Sequence, residues 1–201
     1  MKLLPCGDSG LLVEVDGLPE VLALADAVRA ARPAGVLDVV SAARTVLLCV
    51  EPGTDLAEVR RAVLDLDVEP GAAQADGERV EIEVVYDGPD LEEVAEITGL
   101  GVDGLVAAHT GTPWRAAFGG FAPGFAYLVG GDPRLEVPRR QVSRTSVPAG
   151  AVGLAGEFSG VYPRSSPGGW QLIGHTDAEL WNIDRGALLQ PGCTVVFKAV
   201  S

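Results

Sequence analysis

Phe118-Gly119-Gly120-Phe121-Ala122-Pro123-Gly124-Phe125-Ala126-Tyr127-Leu128 sets aromatic side chains between glycines and a proline, a composition that a long helix does not tolerate. The stretch lies within 59 residues, Gly111 to Gly169, that hold 12 of the 26 glycines and 7 of the 14 prolines. Short strands joined by tight turns remain, as in a barrel or a sandwich. Downstream, Leu189-Gln190-Pro191-Gly192-Cys193 reads as a turn feeding a final strand over Thr194 to Val200.

Upstream the texture is different. Leu11 to Val15 reads as a strand, and Leu18, Val21, Leu22, Ala25 and Val28 recur at helical spacing up to Arg32-Pro33. Val36 to Val40 and Thr45 to Val50 read as two further strands. Thr54 can cap a second helix whose Leu56, Val59, Val63 and Leu64 share a face. This β-α-β-β-α order predicts a ferredoxin-like α+β domain. Residues 69–77, small and polar without periodicity, read as a linker. Two domains follow: an α+β domain over 1–76 and a mainly-β domain over 77–201. The second begins with a strand from Arg79 to Tyr86. A helix opens at Asp90 with Glu93 at the capping-box position and ends at Gly99, and Asp103 opens another that carries His109.

The chain has 201 residues, 47% hydrophobic and 21% charged, the mix of a globular protein. Its formal net charge of −13 disfavours nucleic acid and anionic membranes. No apolar run approaches the ~18 residues of a membrane span. Pro5 interrupts the start before a signal-peptide core can form. Cys6, Cys49 and Cys193 are too few and too scattered for a disulfide framework. The expectation is a soluble cytoplasmic protein with no nucleic-acid or membrane partner.

Familiar site motifs fail on context. Gly99-Leu100-Gly101-Val102-Asp103-Gly104 matches a dinucleotide fingerprint, but a helix rather than a strand precedes it. The same region carries six acidic residues and no basic one between Asp87 and Asp103, which excludes a DNA-reading helix pair. The only lysines, Lys2 and Lys198, form no phosphate loop, and two histidines with three scattered cysteines predict no metal site. No Gly-x-Ser-x-Gly elbow is present.

A basic island does stand out. Between His109 and Thr176 lie six arginines and three acids, against 9 basic and 25 acidic residues elsewhere. Forked guanidinium groups suit a small carboxylate or phosphate. The same arginines could instead pair with the protein's own surplus carboxylates. Arg140 and Arg144, four apart, would share one face of a strand, with Arg139 pointing away. An imidazole titrates near neutrality, so His109 or His175 could move a proton, or either could be a capping or core-edge histidine.

Several longer motifs occur in order. They are Phe121 to Leu128, Pro138-Arg139-Arg140, Val147-Pro148-Ala149-Gly150-Ala151-Val152, Tyr162-Pro163 and Ser166-Pro167-Gly168-Gly169-Trp170-Gln171-Leu172-Ile173-Gly174-His175-Thr176. Together with Gly7-Asp8-Ser9 and Gln190-Pro191-Gly192, they resemble the KipI family, whose members are the B-type subunits of 5-oxoprolinase and the first subunits of allophanate hydrolase. The family commonly has Gly-Arg-Thr where this chain has Gly174-His175-Thr176, and an aromatic before a short apolar strand where it has Pro113-Trp114-Arg115.

The resemblance implies a cyclophilin-like β-barrel after the α+β domain. It implies a hydrolase subunit, inactive alone, of an ATP-dependent complex that opens 5-oxoproline or hydrolyses a related amide such as allophanate. The partner would be a second homologous subunit, the C-type subunit of 5-oxoprolinase or the second subunit of allophanate hydrolase, with a third protein joining them. ATP with magnesium would be shared with that partner. One bacterial member is a sporulation-kinase inhibitor, so the alternative is a regulatory binding protein that inhibits a histidine kinase without catalysis. The expected catalytic residues are His109, Tyr127 and His175. The expected anion-binding residues are Arg139, Arg140, Arg144, Gly124, Gly168, Gly169 and Trp170, and no resident metal is expected.

Overall fold

A computed structural model of the chain describes residues 1–68 and 77–201. The linker expected at 69–77 lies, apart from Gly77, outside the described residues. The chain divides into two compact units, Met1–Ala75 and Asp76–Ser201.

The first unit runs β1 (Lys2–Pro5), β2 (Gly10–Glu14), α1 (Leu18–Ala31), β3 (Val36–Ser41), β4 (Thr45–Val50) and α2 (Leu56–Leu64). Its antiparallel sheet has the order β1-β2-β4-β3. Leu11, Val13, Val46 and Leu48 on this sheet are buried, as are Val21, Ala25 and Val28 of α1 and Val59 and Val63 of α2. In this sheet β4 lies between β2 and β3, the two strands that flank α1. The ferredoxin-like order itself is not what the sheet shows. Its fourth strand is β1, from an N-terminal hairpin, where a ferredoxin-like chain would add a strand after α2. Pro5 hid this strand in the sequence, yet proline is tolerated at the end of an edge strand. The cap of α2 is Asp55, whose carboxylate accepts from the Ala57 amide at 2.8 Å, and not Thr54.

The second unit runs β5 (Arg79–Val85), α3 (Leu91–Thr98), α4 (Gly101–Gly111), β6 (Trp114–Gly119), β7 (Ala126–Val129), β8 (Arg144–Val147), β9 (Ala151–Ala155), β10 (Phe158–Val161), β11 (Ser166–Gly168), β12 (Gln171–His175), β13 (Trp181–Asn182), β14 (Gly186–Ala187) and β15 (Thr194–Val200). Seven strands close into a mixed barrel, β10-β7-β6-β15-β5-β12-β9, in which β15 and β5 run parallel. β8 with β11 and β13 with β14 form separate two-stranded ribbons. Among the described residues no helix is long and apolar enough to cross a membrane.

β9 is buried along its whole length because both of its faces are covered. Val152 and Leu154 join Ile82, Leu128, Ile173 and Phe197 in the main core, into which α3 and α4 also pack. Ala151 and Ala155 face a second cluster built on Phe125, Tyr162 and Trp170. That second cluster creates the site.

Candidate functional site: an aromatic cavity beside the barrel

The chain has three Trp, three Tyr and five Phe, eleven aromatic rings in all, and six of them line one cavity of about 560 Å3. Strand alternation sends them there. On β7, Ala126 and Leu128 point into the barrel and Tyr127 points out; on β10, Ser159 is buried and Phe158 faces the cavity. Phe125 meets Trp170 edge to face at 5.4 Å, and Tyr127 meets Phe158 the same way at 5.4 Å. Phe118 stacks behind Tyr127 at 4.5 Å. Such edge and offset contacts fix the rings and leave faces free for a flat ligand.

Polar groups at this cavity are few. Arg139 lines it, and no hydrogen bond or ion pair occupies its guanidinium among the described residues. Ser143 stands nearby. Burial raises the Tyr162 phenol above its ordinary range, so it stays protonated at neutral pH. Gly168 is a requirement of that placement, because a Cβ there would collide with the Tyr162 hydroxyl.

Arg140 and Arg144 do not line the cavity. Arg140 Nη1 and Arg144 Nη2 each lie 2.6 Å from Oδ1 of the buried Asp90. Asp90 Oδ2 accepts from the Leu172 amide at 2.7 Å. Asp90 stands at the start of α3, as expected, but its carboxylate makes no cap bond to the helix. Only Arg144 is on a strand, at the start of β8. The alternative of internal pairing therefore describes these two arginines, and Arg134 too, which pairs with Asp132 at 2.6 Å. Arg139, just before the first of the paired arginines, and Ser143, just before the second, lie along the cavity, and the Arg140 amide donates to the Gly169 carbonyl at 2.8 Å.

The expected residues thus separate into groups. Tyr127, Arg139, Gly168 and Trp170 come together on the cavity wall. Gly169 lies behind it, where a Cβ would crowd Ser143 Oγ at 2.7 Å. Gly124 shapes the preceding turn with φ 85° and packs on Trp181. Neither histidine lines the cavity. His109 is fully buried, with Nδ1 2.7 Å from the Tyr86 hydroxyl and Nε2 2.9 Å from Ser159 Oγ. Its ring stacks on Phe197 at 4.3 Å, and burial lowers its pKa from 6.5 to about 3. An imidazole so enclosed has no path to a ligand. His175 is exposed, with Nδ1 2.7 Å from Asp87 Oδ1, in a separate recess beside Glu83 and Lys198.

Sequence reading assigned no role to Phe121, Phe125, Ser143, Phe158 or Tyr162. Phe121, Phe125 and Tyr162 lie inside the quoted motifs. The scarcity of aromatic residues was the usable signal. Phe158 and Ser143 carry no local mark.

A mixed seven-stranded barrel with an aromatic cavity on its flank, following an α+β unit, defines the class. The chain belongs to the carboxyltransferase domain, subdomain C and D family, whose model matches residues 1–189, and with it to the group of KipI and the B-type 5-oxoprolinase subunits. It is 46% identical over 127 residues to the B-type 5-oxoprolinase subunit of Bacillus subtilis, covering 61% of this chain and 53% of that protein. The counterpart from Escherichia coli O157:H7 is 44% identical over 134 residues, covering 64% of this chain and 62% of that protein. The match thus spans little more than half the length of these relatives. Among solved structures, TTHA0988 superposes with a TM-score of 0.78 at 34% identity, over 96% of this chain and 40% of that one. PH0987 from Pyrococcus horikoshii superposes at 0.59 and 32% identity, over 100% of this chain and 98% of that one. The Kluyveromyces lactis urea amidolyase shares the fold at a TM-score of 0.69 and 17% identity, over 99% of this chain and 15% of that one.

Proposed function

We propose that this chain is the B-type subunit of a 5-oxoprolinase complex, in which the barrel cavity binds the small cyclic amide and a second, homologous subunit completes the active site. The observation that carries the reading is Arg139, whose guanidinium has no hydrogen bond or ion pair among the described residues, beside a cavity walled by aromatic rings. 5-Oxoproline is a flat five-membered lactam bearing a carboxylate. Its ring suits the faces of Trp170 and Tyr127, and its carboxylate suits the fork of Arg139. The protonated Tyr162 hydroxyl can donate to the lactam carbonyl, polarising it. Hydrolysis then adds water across the C–N bond, with hydroxide to the carbonyl carbon and a proton to the departing nitrogen, and yields glutamate.

The chain's contribution is binding, orientation and polarisation. His109 is enclosed and His175 lies elsewhere, so the base that activates water comes from the partner. A nucleotide fits poorly on this chain. Among the described residues no three acidic, histidine or cysteine side chains group to hold a metal ion, and the glycine fingerprint at Gly99 joins two helices. ATP and its magnesium are therefore assigned to the rest of the complex.

The test is co-expression with a C-type subunit and the third protein of the complex, followed by assays of glutamate release and amide-dependent ATP hydrolysis. The expected result is turnover by the complex and none by this chain alone. Turnover by the isolated chain, or an assembled complex that leaves 5-oxoproline intact, overturns the proposal. Specific capture and inhibition of a histidine kinase would instead support the regulatory alternative.

A further inference from the structure

We infer that Phe121 is a specificity-determining residue of the aromatic cavity, its ring held by a strained turn as the wall that closes on a flat ring. The inference rests on the reading of the cavity as the site for a small cyclic carboxylate.

Among the described residues only Arg32 and Phe121 take positive φ without being glycine. Arg32, at 47°, ends α1, where left-handed backbone is common. Phe121, at 62°, is different. The Ala122 amide donates back to the Gly120 carbonyl at 2.6 Å, which makes Phe121 the centre of a γ-turn with positive φ, the rarer and more strained hand. A bulky side chain is disfavoured there. Glycine stands on either side of the turn, at Gly119, Gly120 and Gly124, yet the strained position carries a phenyl ring.

Burial does not account for the choice, since Phe121 is 56% exposed. Its ring is steadied along one side by edge contacts to Phe125 at 5.2 Å and Tyr162 at 5.9 Å. The turn is closed by the Phe125 amide on the Ala122 carbonyl at 3.0 Å and the Gly120 amide on the Phe125 carbonyl at 3.2 Å. An apolar face so placed beside the cavity would be covered by a planar ring and only poorly by an open chain.

Calorimetric titration of the chain assembled with its C-type partner, using 5-oxoproline and N-acetylglycine, an acyclic amide carboxylate of the same charge, tests this. The parent should prefer the ring by about tenfold or more. Phe121→Ala and Phe121→Gly should each lose about tenfold for 5-oxoproline while holding N-acetylglycine within about threefold. Phe121→Gly should melt above Phe121→Ala, because glycine takes this φ without a Cβ penalty. That pairing of higher stability with lost selectivity is what a merely structural phenylalanine would not produce. Variants that keep the preference, a parent without one, or a glycine variant that regains it overturn the inference and leave the function standing. A parent that binds neither probe overturns both.

Discussion

Arg144 Nη2 lies 2.6 Å from Asp90 Oδ1 across 54 residues of chain, and Arg140 Nη1 reaches the same oxygen at the same distance. Two cations on one buried carboxylate join α3 to the segment that carries Arg139 and Ser143 past the cavity. Among the described residues, removing that charge leaves Arg144 without a carboxylate and Arg140 with only Glu93, at 3.9 Å. Asp90→Asn should therefore cost roughly 2–4 kcal/mol in urea unfolding, below the roughly 3–5 of a fully buried pair because the arginines are partly exposed. An unchanged midpoint would show that the cluster contributes nothing net.

Arg139 and Arg144 should separate cleanly in function. Arg139→Gln removes a guanidinium that has no ion pair among the described residues, so stability should hold while affinity for 5-oxoproline falls by roughly 1.5–3 kcal/mol. Arg144→Ala should lower the melting temperature first. Calorimetry and thermal melts on both variants check this. A larger direct loss of binding in Arg144→Ala, with the fold intact, would move the anion site to the Asp90 cluster.

Gly168 faces the Tyr162 hydroxyl with no room for a Cβ between them. The phenol belongs to a rigid cluster, wedged against Phe125 and Trp170, and cannot swing aside at low cost. Gly168→Ala should destabilise by about 1–3 kcal/mol and weaken 5-oxoproline binding. Gly168→Ala combined with Tyr162→Phe, which removes the nearest clashing atom but leaves two ring carbons at 2.9 Å, should recover part of the stability and none of the affinity. Recovery of both would deny Tyr162 its role as a donor.

The barrel was legible because glycine and proline are read locally: each disfavours the interior of a long helix, and their density between Gly111 and Gly169 says so without tertiary information. The aromatic motifs marked the right loop for the same reason. The arginines were not separable that way. Spacing puts Arg140 and Arg144 on one side and Arg139 on the other, but which side meets the cavity depends on Asp90, fifty residues upstream, whose local signal was a helix cap. β1 was hidden by a proline that the edge position tolerates. His109 looked like a base by type alone; that both its ring nitrogens are already engaged is a fact of packing, set by Tyr86 and Ser159.

The enclosure of His109 makes acid stability a direct readout of its environment. Folded, its pKa is lowered to about 3 against an ordinary 6.5, with burial as the cause. Between those values the unfolded chain binds a proton that the folded chain refuses, so stability rises with pH across the window. The contribution is fully present above about pH 6.5 and is lost as pH falls toward 3, at about 1.4 kcal/mol per pH unit from this group. Urea unfolding at pH 7, 5.5 and 4.5 should show that slope above the background of the acidic residues. His109→Gln cannot be protonated, so it should flatten the dependence over the same window although it lowers stability at pH 7. If the variant keeps the parent's slope, His109 is charged or solvated in the folded chain. Its exclusion from proton transfer would then have to be withdrawn.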